Sequence, residues 1–291
     1  MKIGIFGKQF GSTFRKNCEL LFKLLTQNST QVVLYRPFYD FLLKEKIVVN
    51  CDIFFDSYLD LPDCDLIFSI GGDGTFLETV TFVRDRNIPI VGINSGRLGF
   101  LADISMQELP EAIAEIINGN FSVRKVDLLR VDTEKDIFGD LNFAMNELAI
   151  HKRDSSSMIT IHTYLNDSYL NSYWADGLII STPIGSTAYS LSVGGPILHP
   201  SCNEFIISPI APHNLSVRPL VVPNNSKIKL KVESRRDKFM ASLDLRSKII
   251  DNKNVISIRK ADFTVSIAER VNNDFFATLR TKLMWGADKR N

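Results

Sequence analysis

Gly71-Gly72-Asp73-Gly74-Thr75 is the segment of this 291-residue chain best suited to chemistry. It follows an apolar run, Leu66-Ile67-Phe68-Ser69-Ile70, and precedes Phe76, Leu77, Val80 and Val83 at helical spacing. Glycines at a strand-to-helix turn tolerate positive φ and let a ligand come close to the backbone. The first amides of the helix lack intrahelical partners and carry the positive end of its dipole, which suits phosphate. Asp73 adds a carboxylate that accepts hydrogen bonds and can orient a hydroxyl for attack. The loop has neither the Gly-Lys-Ser/Thr of a P-loop nor the spacing of G-x-G-x-x-G. A plainer reading also fits: Asp-Gly is turn chemistry, and Thr75 with Glu78 makes a capping box at the helix start.

Three other segments have side chains suited to a ligand. Asp176 to Pro196 runs from a buried strand pattern into a dense series of glycines and hydroxyls around Tyr189. That series offers backbone donors, hydroxyls and a stacking face in a small volume, as a nucleotide needs, although hydroxyl-rich loops are common. Asn146-Glu147 interrupts the apolar stretch Phe143 to Ile150, so a polar group there points toward a core and needs a partner. A sugar hydroxyl, an adenine edge or backbone donors would serve. Asn94-Ser95-Gly96-Arg97-Leu98-Gly99-Phe100-Leu101 follows another apolar run, where open α/β sheets place ligands. Phe100 there either stacks on a flat ring or belongs to a core.

The elements that must position these residues change in kind along the chain. Up to about residue 120, apolar runs (Ile3–Phe6, Val32–Tyr35, Leu66–Ile70, Ile88–Ile93) alternate with segments of helical spacing. Cys18, Leu21, Phe22 and Leu25 mark one such helix, and Leu109 to Ile117, ended by Gly119, marks another. Strands alternating with helices predict βαβ units and a largely parallel sheet covered on both faces. From Phe121 the pattern is alternation and turns, as in Met158–His162, Lys227–Val232 and Phe263–Ile267, which predicts antiparallel strands. Asn166-Asp167-Ser168 offers a hairpin turn before Tyr169, and Val271 to Leu283 closes the chain with helical spacing. The expected division is 1–120 as the α/β domain, 121–262 as the β-rich domain, and 263–291 as a strand and helix able to pack back on the first.

Lys and Arg number 34 against 33 Asp and Glu, so no field gathers a polyanion, and nucleic acid and anionic membrane are disfavoured as partners. No apolar run approaches a bilayer's thickness, and the opening residues lack a signal-peptide pattern. Cys18, Cys51, Cys64 and Cys202 are scattered and form no C-x-x-C pair, which fits reduced thiols in cytoplasm. His151, His162, His199 and His213 show no metal-ligand spacing.

Thr182-Pro183-x-Gly185-Ser186-Thr187-Ala188-Tyr189, preceded by Asp176-Gly177, resembles the signature of the NAD kinase family. Gly71 to Thr75 is similar to the loop shared by NAD kinases, diacylglycerol and sphingosine kinases and, in related form, phosphofructokinases. Asn94 to Leu101, Asn146-Glu147 and Pro212-His213-x-Leu215-Ser216-x-Arg218-Pro219 fall in the NAD kinase order. The resemblance spans the chain from the Leu66 run to about Arg246. It implies an α/β N-terminal domain, a β-rich, sandwich-like C-terminal domain and a site in the cleft between them. It implies that Asp73 acts on the 2′-hydroxyl of the adenosine ribose of NAD. Gly74, Asn146, Glu147, Asp176, Thr187, Ala188, Tyr189 and Ser192 would contact NAD. Gly71, Gly72, Thr75, Asn94, Phe100, Trp174, Ser190 and Arg246 complete the expected nucleotide-binding set. The implied partners are NAD, ATP or another phosphoryl donor such as polyphosphate, and a divalent cation, magnesium by preference. A homodimer or homotetramer is implied as well. Glu78 and Trp174 stand where many members carry a basic residue, and Arg246 where many carry Gln. These departures put the phosphate contacts and the donor preference in question, not the reaction.

Two other functions fit parts of this pattern. A lipid or sphingoid kinase would share the first loop but would need an apolar entry groove. A non-catalytic NAD(P)-binding regulator would have little use for a carboxylate beside phosphates.

Overall fold

The computed structural model describes residues 1–96, 99–153, 157–271 and 274–286. They fall into two compact units, Met1–Lys125 with Val265–Asn291, and Val126–Thr264. The first unit holds β1 (Lys2–Gly7), α1 (Arg15–Gln27), β2 (Gln31–Tyr35), α2 (Arg36–Lys44), β3 (Ile53–Phe55) and β4 (Leu66–Gly71). It continues through α3 (Asp73–Val83), β5 (Ile90–Asn94) and α4 (Leu109–Ile117) to the start of β6 (Phe121–Thr133). The second holds β7 (Phe143–Ala144), β8 (Glu147–His151), β9 (Ile159–Leu165), β10 (Ser168–Ala175), β11 (Gly177–Ser181) and a short helix, α5 (Tyr189–Ser192). Then come β12 (Glu204–Ile210), β13 (Leu220–Pro223), β14 (Ile228–Glu233), β15 (Lys238–Leu243) and β16 (Arg246–Asp251). β17 (Ile256–Arg270) returns to the first unit, which α6 (Phe275–Leu283) closes.

In the first unit β5, β4, β1, β2 and β3 lie side by side in that order, all parallel. The far half of β17 joins beyond β5, pairing Ile267 with Ile90. Every residue of β4 is buried, as expected of a central parallel strand covered on both faces. Cys18, Leu21 and Leu25 of α1 and Ala112, Ile113 and Ile116 of α4 meet Ile3, Ile5, Phe68 and Ile70 of the sheet in one core. Their spacing of three and four residues is what turns those faces inward.

The second unit is antiparallel. One sheet runs β13-β12-β11-β8-β15-β16; the other sets β10, β9, β14 and the near half of β17 side by side. Ile159, Ile161, Leu230 and Val232 share a core with Leu148, Ile150, Ile180 and Phe205, so the two sheets face each other as a sandwich. Alternation in β9 and β14 reflects one covered face each. The β9–β10 turn has Asn166 and Asp167 at φ 49° and 68°, the backbone that a two-residue hairpin favours.

Two local expectations change. Gly72 is the N-cap of α3, which begins at Asp73, so Thr75 is not the cap and the capping-box reading falls. Glu78 instead pairs with Lys8 at the end of β1. The closing helix starts only at Phe275, after Asp274, whose carboxylate accepts the Phe276 amide at 2.9 Å.

Candidate active site

In the α/β unit, the chain leaves β4 through Gly71 and Gly72 and enters α3 at Asp73, at the carboxyl end of the parallel sheet. Gly71 has no room for a side chain, since a Cβ there would lie 2.1 Å from Thr75 Oγ1. Asp73 sits in the first turn, at the positive end of the helix dipole. Its Oδ1 accepts the amides of Leu101 at 2.9 Å and Ala102 at 3.0 Å, and its Oδ2 accepts the Phe100 amide at 2.9 Å. Asn94 secures the same segment, donating from Nδ2 to the Ala102 carbonyl at 3.3 Å and accepting the Gly96 amide at 2.7 Å. A Cβ on Gly99 would fall 1.8 Å from Asp73 Oδ1, so this close wrap needs glycine. Arg97 and Leu98 of the segment lie outside the described residues.

A carboxylate has about four acceptor positions. Three of those of Asp73 hold the loop, and the fourth, on Oδ2, is open to a hydroxyl. Phe100 is half-buried, with Lys282 Nζ of α6 at 5.8 Å from its ring centroid. Burial lowers the Lys282 pKa, and the Asp73 charge pulls it back up. This ammonium near Asp73 has no counterpart in the motifs, because one lysine on an amphipathic helix gives no signal in sequence. Gly71, Gly72, Asp73, Gly74, Thr75, Asn94 and Phe100 are thus brought together around the head of α3.

In the β sandwich, Asn146 and Glu147 enter β8 almost wholly buried. Asn146 Oδ1 and Glu147 Oε2 have no hydrogen-bond partner. Unpaired buried acceptors are costly, and a bound ligand is a common reason for their presence. Asp244, in the β15–β16 turn at φ 50°, takes the amides of Met145, Asn146 and Glu147 at 3.0, 2.8 and 3.2 Å. Burial pushes the Glu147 carboxyl up to about 8, the Asp244 charge adds to this, and the Tyr189 amide draws it down. Sequence reading missed Asp244, because Asp between two alternating strands looks like ordinary turn chemistry.

The Thr182–Tyr189 loop is built onto the same backbone. Thr182 donates its amide to the Asn146 carbonyl at 2.9 Å and its Oγ1 to the Met145 carbonyl at 2.5 Å. A Cβ on Gly185 would strike the Asn146 carbonyl oxygen at 2.2 Å. Thr187 and Ala188 follow in a short 3₁₀ turn, Thr187 Oγ1 donating to the Ile184 carbonyl at 3.2 Å. The Tyr189 ring is partly exposed and stacks on His151 at 5.6 Å. Ser192 is exposed, whereas Ser190 is fully buried and bonded to Ser208 at 3.1 Å. Asp176 pairs with Lys152 at 2.5 Å. Trp174 is exposed and leans on His213, ring centroids 4.2 Å apart. Arg246 donates to the carbonyls of Leu141, at 2.6 Å, and Phe143, and lies 3.6 Å from Asp244. Its guanidinium serves the Asn146-Glu147 scaffold.

Among the described residues no group of three or more His, Cys, Asp or Glu could hold a metal ion, and no helix is long and apolar enough to cross a membrane.

Comparison with known proteins agrees with both halves of this picture. Residues 58–121 match the ATP-NAD kinase N-terminal domain, and residues 145–269 the ATP-NAD kinase C-terminal domain. An NAD kinase of Cytophaga hutchinsonii is 45% identical and one of Flavobacterium psychrophilum 46%, each aligned over 100% of both chains. Among solved structures, yeast NADH kinase complexed with NADH superposes with a TM-score of 0.86, covering 99% of this chain and 88% of that one at 23% identity. An NAD kinase from Archaeoglobus fulgidus in complex with ATP gives a TM-score of 0.74, with 98% and 99% covered at 26% identity.

Proposed function

This chain belongs to the NAD kinase family, and we propose that it moves a phosphoryl group from ATP to the 2′-hydroxyl of the adenosine ribose of NAD, giving NADP, with Asp73 orienting that hydroxyl. The observation carrying the role of Asp73 is its fixed carboxylate, tied by three amides yet with one acceptor position left at the head of α3. A carboxylate is far too weak a base to strip a sugar hydroxyl in advance. Asp73 therefore aligns the hydroxyl and takes its proton late, which suits a loose transition state in which positioning and charge dominate. The first amides of α3 face the donor's phosphates. Asn146 and Glu147, each with an unpartnered buried polar atom, take polar groups of NAD, and Tyr189 offers a ring face.

ATP as donor is supported by the ATP complex of the Archaeoglobus relative. A divalent cation, magnesium in this reading, would be held by the donor's phosphates and would supply charge neutralisation there. The proposal extends to a cytoplasmic homodimer or homotetramer, and four free cysteines suit a reducing compartment.

Asp73→Asn tests the central role. With ATP, magnesium and NAD, NADP formation should fall by about 10²–10⁴-fold, the range for loss of a general base. NAD affinity should stay within about threefold, because Asn keeps the size of Asp and an acceptor oxygen for the hydroxyl. Turnover near that of the parent would remove Asp73 from the chemistry.

A further inference from the structure

The β15–β16 turn holds a buried carboxyl that the reaction itself does not use. We infer that Asp244 is a positioning residue for the dinucleotide: it fixes the backbone of Met145, Asn146 and Glu147 and, as the ionised member of a buried carboxyl pair, leaves Glu147 to meet NAD as a neutral acid that donates a hydrogen bond. The inference rests on the reading above that Asn146 and Glu147 contact NAD.

The two carboxyls keep unequal company. Asp244, its side chain 5% exposed, receives three backbone amides and has Arg246 Nη2 at 3.6 Å. Its own amide donates to the Glu147 carbonyl at 3.0 Å, so the two residues are locked in register. Glu147, 9% exposed, has the Tyr189 amide on its carboxyl and nothing on Oε2. The Asp244 charge raises the Glu147 carboxyl, and of two buried carboxyls that sense each other the one with more hydrogen-bond donors keeps the charge. Burial raises both, but three amides and Arg246 draw Asp244 back down whereas one amide serves Glu147, so the geometry favours the proton on Glu147. Asp244 and Arg246 come from the hairpin; on the α5 side Tyr189 stacks on His151, whose pKa burial lowers.

The consequence is a matched pair at the start of β8. Asn146 Oδ1 is a free acceptor and the Glu147 acid proton a free donor. Together they fit a ligand edge that carries a donor beside an acceptor, such as the amino group and ring nitrogen of adenine or a ribose hydroxyl. An ionised Glu147 would offer acceptors only and would repel nearby phosphates.

Calorimetric titration of NAD into the full chain without ATP, from about pH 6.5 to about pH 9.5, tests this. Affinity should be level up to about pH 8 and then fall toward tenfold per unit as the acid proton is lost. Glu147→Gln keeps an uncharged donor, so its affinity should stay within about threefold at pH 7 and lose the alkaline limb. Asp244→Asn, which removes the neighbouring charge, should move the limb to lower pH. A pH-independent affinity for the parent overturns the inference, as does a loss above about tenfold in Glu147→Gln at pH 7, because either means Glu147 binds as a carboxylate. Glu147→Ala separates the two levels. If it binds NAD like the parent, the underlying placement of Glu147 fails too; if it weakens while the parent is pH-independent, only the donor role fails.

Discussion

Glu147 shows what burying a single carboxyl costs the fold. Its carboxyl rises from the ordinary 4.5 to about 8 in the fold. Below pH 4.5 it is protonated folded or unfolded, and above pH 8 it is ionised in both. Between these limits only the unfolded chain releases the proton, so stability falls as pH rises through this window and stays low above it. The shift corresponds to a few kcal/mol, on the order of 5 as an upper bound. Glu147→Gln removes the titration. Its melting temperature should match the parent's near pH 4.5 and exceed it increasingly up to about pH 8, as read by calorimetry. A gap that does not change with pH would mean that Glu147 is ionised in the fold throughout. Asp73, Asn146 and Glu147 stood out in the sequence because carboxylates and amides within apolar or glycine-rich runs need a reason. Asp244 did not, because its long-range amide contacts exist only after β8 and the β15–β16 turn come together.

α6 is the element whose role depends most on how it is anchored. Asp274 caps its start, and Leu279 is buried while Phe276 and Met284 are exposed. One buried leucine therefore docks a nine-residue helix whose next turn carries Lys282 toward Phe100 and Asp73. Leu279→Ala should cost about 2–4 kcal/mol of docking. The loss should appear locally, because terminal elements open below the global transition. Limited trypsinolysis is the direct readout: cleavage after Arg280 and Lys282 should rise well before the rest of the chain is cut, and turnover should fall as Lys282 leaves Asp73. Unchanged cleavage in this variant would show that Leu279 does not hold the helix. α1, β14 and the β9–β10 hairpin could be read from the sequence, since one covered face imposes its period, and β4 as an unbroken apolar run, since both its faces are covered. α2 and β3 could not. α2 begins at Arg36-Pro37 directly after β2, where a proline looks like a break although it is at home in a helix's first turn, and β3 has three residues, too few to show a period.

At the scale of the molecule, the chain gathers into two units, each with its own core. Their division falls inside β6 and β17, strands long enough to serve both units, where composition gives no mark. Each core has a reporter in reach, and that of the α/β unit is chemical. Cys18 is fully buried beside Leu21, Phe22 and Leu25, and burial pushes its thiol up to about 12. In the native chain it is neither accessible nor a thiolate, so alkylation near pH 8 must wait for this core to open. Leu21→Ala leaves a cavity in the same cluster and should cost about 3 kcal/mol. If opening and closing are fast relative to alkylation, Cys18 modification should accelerate about 100-fold, read by peptide mass spectrometry after iodoacetamide pulses. Cys202, half-buried in the other unit, serves as the internal control, and its labelling should change far less than that of Cys18. Equal acceleration at both cysteines would mean that the chain opens as one body, and an unchanged rate at Cys18 would mean that its exposure does not depend on the packing around Leu21.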